Sequence, residues 1–230
     1  MSSTIPRERV LLTLVFATTL TSIMGNSLLA PAIPDILHEF ERSDGASGLL
    51  VAASSLPGVV VAPVIGVLAD RFGRRRILAP CLAVFGVAGL LVVAAPTFET
   101  MLAARFAMGF GSAGLVNLAI TLIGDRFVGE RRTYWIGKNS GVLTAGLAVF
   151  PLGAGLLTDA AGWRWALAPY GIGLVTAAAA WTILPPDGGR ATVTFREQLG
   201  GVQATVRHPS IGATFVAGAL GFAAMFGANP

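Results

Sequence analysis

The side chains of this chain that could do chemistry are charged groups set against long apolar runs. Arg105 stands inside the apolar stretch Met101–Gly124. An arginine at that depth in a bilayer costs about 3 kcal/mol unless it faces a cavity or a partner. Two uses are open to it: a functional site, or snorkelling to the outer interface. Asn26 is the one strongly polar side chain of the uncharged run Val10–Pro34, and Asp35 follows just past that run. Asn26 suits either a solute path or a bond to a neighbouring helix. Asp70 and Asp125 each close an apolar run and are each followed by arginines. A carboxylate at a helix C-terminus opposes the helix dipole and requires a partner, either arginine or the positive end of another helix. These groups suit ion pairing between helix ends and the handling of a proton or a charged solute.

Other chemistries have little to stand on. No nucleophile–base pair or pair of carboxylates stands out, so an enzyme is the least favoured reading. His38 and His208 lie far apart, with no Cys, Glu or His at ligand spacing, and no structural metal site is predicted. Cys81 is the single cysteine and reads as a packing thiol. Gly109-Phe-Gly111-Ser-Ala-Gly114 matches G-x-G-x-x-G, but a dinucleotide site needs that turn between a strand and a helix, and here it lies in an apolar helix.

The elements that must position these residues follow from composition. The chain is 54% hydrophobic and 12% charged, about half the charge of an average soluble domain. It reads as an all-α integral membrane protein with short loops. The net charge of +4 could suggest nucleic acid, but the charges sit in loops between apolar runs rather than on one face. Topology and anionic headgroups explain them, so the expected partner is the lipid bilayer and not nucleic acid.

Six apolar runs are each long enough to span a hydrocarbon core as a helix. Val10–Pro34 is the first. It is too long for a signal-peptide core, despite the small-residue run Ala30-Pro-Ala32, and is read as uncleaved. Gly45–Ala69 and Ile77–Phe98 flank the basic knot Asp70–Arg76; Met101–Gly124, Gly141–Thr158 and Trp165–Leu184 follow. Inside fall Arg7, Arg9, Arg71, Arg74, Arg75, Arg76, Arg126, Arg131, Arg132, Lys138, Arg190, Arg196 and Arg207, whereas only Arg42 and Arg164 fall outside. That asymmetry predicts a cytoplasmic N-terminus. Trp163 and Trp165 fit an outer aromatic belt, Trp135 and Trp181 an inner one.

The knot also carries a resemblance. Gly66-x-Leu-Ala-Asp70-Arg71-x-Gly73-Arg74-Arg75-x-x-Leu78 resembles the loop between the second and third spans of the major facilitator superfamily. Three further stretches are similar to motifs of its twelve-span drug:proton antiporter branch. Met24-Gly25-x5-Pro31-Ala-Ile-Pro34 resembles the first-span motif, and its prolines should bend or end the helix. Arg105-x-x-x-Gly109-x-Gly111-x-Ala113-Gly114 resembles the fourth-span motif. Gly146-Leu-Ala-Val-Phe150-Pro151-Leu-Gly153-Ala154-Gly155 resembles the fifth-span motif, with Phe150 and Ala154 where that pattern has glycines.

The resemblance implies the six-helix N-terminal bundle of that fold, two inverted three-helix repeats, over residues 1–184. It implies a cytoplasmic linker over 185–208 and the start of a seventh span over 209–230, so that a C-terminal half would be a further partner. It implies a secondary transporter of the inner membrane working by alternating access, with proton-coupled efflux of a small molecule. The energy source would be the proton gradient, with no cofactor. Gly66, Asp70, Arg71, Gly73, Arg74, Arg75 and Asp125 would form the conformational motif, with Asp125 paired to Arg74 and Asp70 facing the second half. Asn26, Asp35, Arg105 and Gly109 would belong to the substrate or proton pathway. Gly25, Pro31, Pro34, Gly146, Pro151, Gly153 and Gly155 would pack helices closely. Alternatives are a nutrient symporter of the same fold, against which Leu184-Pro-Pro-Asp-Gly-Gly-Arg190 departs from the sugar-porter pattern, and a half-transporter inactive alone.

Overall fold

A computed structural model describes residues 4–185, all within one unit, Met1–Arg190. The linker expected over 185–208 lies, beyond Pro185, outside the described residues, as does the seventh span. The described residues contain helices and turns but no strands, and six helical segments are long and apolar enough to cross a membrane.

Span one is interrupted. α1 (Thr4–Ser27) ends, a 3₁₀ turn covers Ala30–Ala32, and α2 (Ile33–Glu39) follows. Pro31 has no N–H to continue the ladder, and its fixed φ suits the first turn of a new segment. Span two is α3 (Ser47–Phe72), which continues through Pro57 and Pro63. Gly73, at φ 96°, turns the chain directly into α4 (Arg74–Val93), span three. Glycine takes this φ without a Cβ clash.

Span four is broken, which the sequence reading did not anticipate. α5 (Phe98–Ser112) begins at a capping box of Thr97 and Thr100. It stops at Ala113, and α6 (Leu115–Arg126) restarts from Gly114 at φ 76°. A left-handed residue cannot continue a right-handed helix, and glycine adopts it without a Cβ clash.

The loop after span four is short: α6 runs to Arg126 and α7 (Gly129–Ala161) begins three residues later, leaving Phe127 and Val128 extended between them. Span five therefore starts well before Gly141. Its first turns are polar on most sides, so hydropathy placed its start too late. Gly162, at φ 89°, leads into α8 (Trp163–Leu167), a 3₁₀ turn Ala168–Gly171, and α9 (Ile172–Ile183), which together make span six.

α4 packs between α5 and α9, α5 also packs on α3, and α1 packs on α6, α7 and α9. Two buried clusters fill the interior: one around Met24, Ile36, Phe85, Met101 and Tyr170, the other around Val15, Leu78, Leu82, Leu118 and Ile123 near the basic end. Small residues set the spacing. A Cβ on Gly109 would strike the Ser54 carbonyl of α3, and one on Gly111 would strike Phe85 N of α4. α3 and α7 are the spans least covered by their own bundle, with Leu56 65%, Leu152 70% and Leu156 72% exposed.

Candidate substrate cavity and basic-end clip

The break in span one leaves the Gly25 carbonyl without a backbone donor, and such a group needs a partner inside a bilayer. Arg105, projecting from α5, supplies one and ties span one to span two. Its Nε donates to Leu50 O at 2.6 Å and its Nη1 to Gly25 O at 3.3 Å. Its Nη2 donates to Asn26 Oδ1 and to Ser54 Oγ, both at 2.8 Å. The Tyr170 hydroxyl donates to Gly25 O at 2.9 Å from span six. Arg105 is fully buried. It does not snorkel: its guanidinium points across the bundle to spans one and two. All these partners are neutral, so the positive charge is solvated by dipoles and not by a carboxylate.

Beside this cage lies a cavity of about 500 Å³. Asn26, Ser22, Ser54, Ser55 and Ser112 give its wall polar groups, and Ile23, Phe85, Met108 and Leu147 give it apolar ones. Gly25 and the second break, at Ala113 and Gly114, also line it. The two interrupted spans are the first and the fourth, the leading helix of each three-helix repeat. A pair of interrupted helices in corresponding repeats, around a cavity, is an arrangement in which carriers build solute sites.

At the basic end one arginine holds two acids. Arg74 Nη1 lies 2.5 Å from Asp70 Oδ1, and Arg74 Nε lies 3.1 Å from Asp125 Oδ2. The clip joins the end of α3 and the start of α4 to the end of α6. Arg75 instead lies over the Trp181 ring of α9, at 4.4 Å. Arg71 lies over Phe72, its neighbour, at 5.6 Å. Arg131 and Glu8, 2.5 Å apart, join the starts of α7 and α1. At the opposite end Glu39 accepts from Trp163 Nε1 at 2.6 Å and pairs with Arg164 at 2.7 Å, and Arg42 pairs with Glu99.

Of the pathway residues, Asn26 and Arg105 are brought together at the cavity. Gly109 lies one turn from Arg105 and serves the α5–α3 contact. Asp35 is exposed on the first turn of α2, away from the cavity wall. Gly25 was expected to pack helices, yet a Cβ there would meet only ordinary contacts at 3.5 and 3.6 Å. Its carbonyl matters more, because Arg105 and Tyr170 share it. Gly146 does make a close approach, to Leu20 and Ile23 of α1, and Gly155 faces Pro31. Gly66 and Gly153 have no atom within 4 Å of a Cβ position among the described residues. The close packing expected of Gly153 is not made among the described residues; both glycines lie on the two least covered helices. Ser54 and Tyr170 escaped sequence reading, since a serine or tyrosine in an apolar run gives no local signal of its partner. Asn139, buried in α7 and accepting from Thr19 at 2.8 Å, escaped it for the same reason.

The family model for the Major Facilitator Superfamily matches residues 15–230. Among curated proteins, the bacillibactin exporter of Bacillus subtilis (strain 168) is 32% identical over 64% of this chain and 37% of its own length. The puromycin resistance protein pur8 of Streptomyces alboniger is 34% identical over 79% of this chain and 36% of its own length. The efflux pump dotC of Dothistroma septosporum is 30% identical over 63% and 25% respectively. The matched stretch thus spans well under half the length of these relatives. Among solved structures, the human organic anion transporter MFSD10 (TETRAN) has the same fold over 83% of this chain and 52% of that chain, with TM-score 0.66 and 21% identity.

Proposed function

Because the chain belongs to the Major Facilitator Superfamily, we propose that it supplies the N-terminal half of a secondary active transporter that exports a small molecule by alternating access, driven by the proton gradient. It is a multi-pass membrane protein. In this reading residues 1–184 form the bundle, 185–208 a cytoplasmic linker and 209–230 the first span of a second half that completes the solute path. The N-terminus and the Arg74 clip lie on the cytoplasmic face of the cell membrane, in keeping with the arginine asymmetry. The partners are the bilayer, the solute and that second half.

One observation carries the proposal: a cavity of mixed polar and apolar lining walled by two interrupted helices, with a buried arginine at its edge. Interrupted helices cost backbone hydrogen bonds, and a bilayer-spanning bundle keeps them where they face a cavity. The Arg74 clip supports the gating part of the reading. Its three groups come from three helices of this one bundle and tie their ends together, so that the bundle can rock as a unit. Efflux relatives support the direction of transport.

The test is flux in proteoliposomes containing the complete protein. Solute movement should be driven by an imposed pH gradient and abolished by a protonophore. Movement indifferent to the gradient would refute proton coupling. Counterflow of sugars and not of dyes would replace the export reading with a nutrient carrier.

A further inference from the structure

Asn26 is held in one orientation by its neighbours. A guanidinium only donates, so the Asn26 atom 2.8 Å from Arg105 Nη2 is the amide oxygen. Ser54 Oγ lies on the same oxygen at 3.2 Å. With both lone pairs of Oδ1 engaged, the amide NH₂ is turned away from the guanidinium. Asn26 is exposed and lines the cavity, so its two N–H groups are the donors that a solute meets. Arg105 itself does not line the cavity, and four of its five N–H donors go to Leu50 O, Gly25 O, Asn26 and Ser54. Its charge therefore reaches the cavity through Asn26 and Ser54, which it polarises in a low-dielectric setting.

The sign of the field follows. Among the described residues Arg105 has no carboxylate partner, and none of those lining the cavity is Asp or Glu. A buried positive charge solvated only by dipoles favours a negative group nearby and disfavours a second positive one.

Resting on the transport reading above, we propose that Asn26 is the solute-recognition residue of this half. It donates through Nδ2 to a carboxylate or similar anionic acceptor, and the cavity selects organic anions over cationic amines. Phe85, Met108 and Leu147 provide the apolar wall for the body of such a molecule.

The test uses the complete protein in nanodiscs and two dyes that share a xanthene core, the anion fluorescein and the cation rhodamine 123. Fluorescence anisotropy at neutral pH should show fluorescein binding at least about tenfold more tightly, the range expected of a charge-assisted contact. Asn26→Asp places a carboxylate beside Arg105 and cancels its charge; it should remove that preference. Asn26→Ser deletes the amide donors, together with the oxygen that accepts from Arg105 and Ser54, and should weaken fluorescein by about tenfold while leaving rhodamine 123 unmoved. Should the aspartate variant fail to fold, the serine variant carries the test alone. Tighter binding of rhodamine 123, equal binding of the two, binding of neither, or a fluorescein affinity indifferent to both substitutions overturns the proposal. Failure of the transport reading is seen separately, as absence of gradient-driven flux with dye binding intact.

Discussion

Arg105 shows how much one residue can hold together. Its guanidinium bonds spans one and two from its place in span four. Arg105→Ala should destabilise the bundle by roughly 3 kcal/mol, from the loss of several buried hydrogen bonds to a charged group. Thermal unfolding in detergent should show it as a lowered midpoint, and flux should fall as well. Arg105→Lys keeps the charge but not the fork that reaches two other helices at once, so it should recover only part of the stability. Gly109 belongs to the same region but acts through space and not charge. Gly109→Ala would drive a methyl into the Ser54 backbone, and the helices would have to separate. A loss of about 1–3 kcal/mol is expected in the same unfolding assay. Arg105 and Gly109 were both legible in the sequence. The carbonyls that Arg105 serves were not, because any backbone oxygen looks alike in one dimension.

At the scale of elements, the breaks in spans one and four and the Arg74 clip are the features that matter. Pro31 announced the first break. The second rests on Gly114, whose left-handed φ only the folded chain displays, within a Gly-Ser-Ala-Gly run that also suits close packing. Gly114→Ala should cost about 1 kcal/mol of strain and crowd Ile65, whose Cγ2 would lie 3.1 Å from the new methyl. Circular dichroism should show the helix content unchanged. The clip behaves differently. Asp70 and Asp125 are about half exposed, and exposed pairs contribute roughly 1 kcal/mol or less. Arg74→Ala and Asp70→Asn should therefore leave membrane insertion and the melting temperature nearly unchanged while lowering transport. Equal transport at equal expression would dismiss the clip from any gating role. The pairing of Arg74 with Asp125 agrees with the resemblance, but Arg74 also holds Asp70, which was expected to face elsewhere.

For the molecule as a whole, orientation is the property that most needs measuring. Single cysteines at Arg76 and Glu99 lie at opposite ends of α4 and its following turn. A membrane-impermeant maleimide should label the Glu99→Cys protein from outside in intact cells, and the Arg76→Cys protein only after the membrane is opened. Native Cys81 is buried in the bundle and should stay unlabelled in both. Labelling of the Arg76 position from outside would reverse the assigned topology and remove the clip from the cytoplasmic face. The uncovered apolar sides of α3 and α7 also belong to this scale. Leu152 and Leu156 have no cover in the bundle, so the missing close contacts of Gly153 reflect a face turned outward and not a defect in packing.

What the sequence determined by itself was the class of solvent around the protein, the six crossings and the family. Each of these depends on composition and on residues near one another in the chain: apolar runs of membrane length, arginines gathered in alternate loops, and the Gly66–Leu78 stretch. The tertiary structure alone decided which groups meet. It placed Ser54 and Tyr170 beside Arg105, turned the Asn26 amide toward the cavity, interrupted span four and exposed Asp35 away from the pathway assigned to it. The reason is physical. Insertion into a bilayer responds to the sum of local transfer free energies, which sequence order preserves. Hydrogen-bond partners and cavity walls depend on approaches of a few ångströms between helices distant in the chain, and these exist only once the bundle has formed.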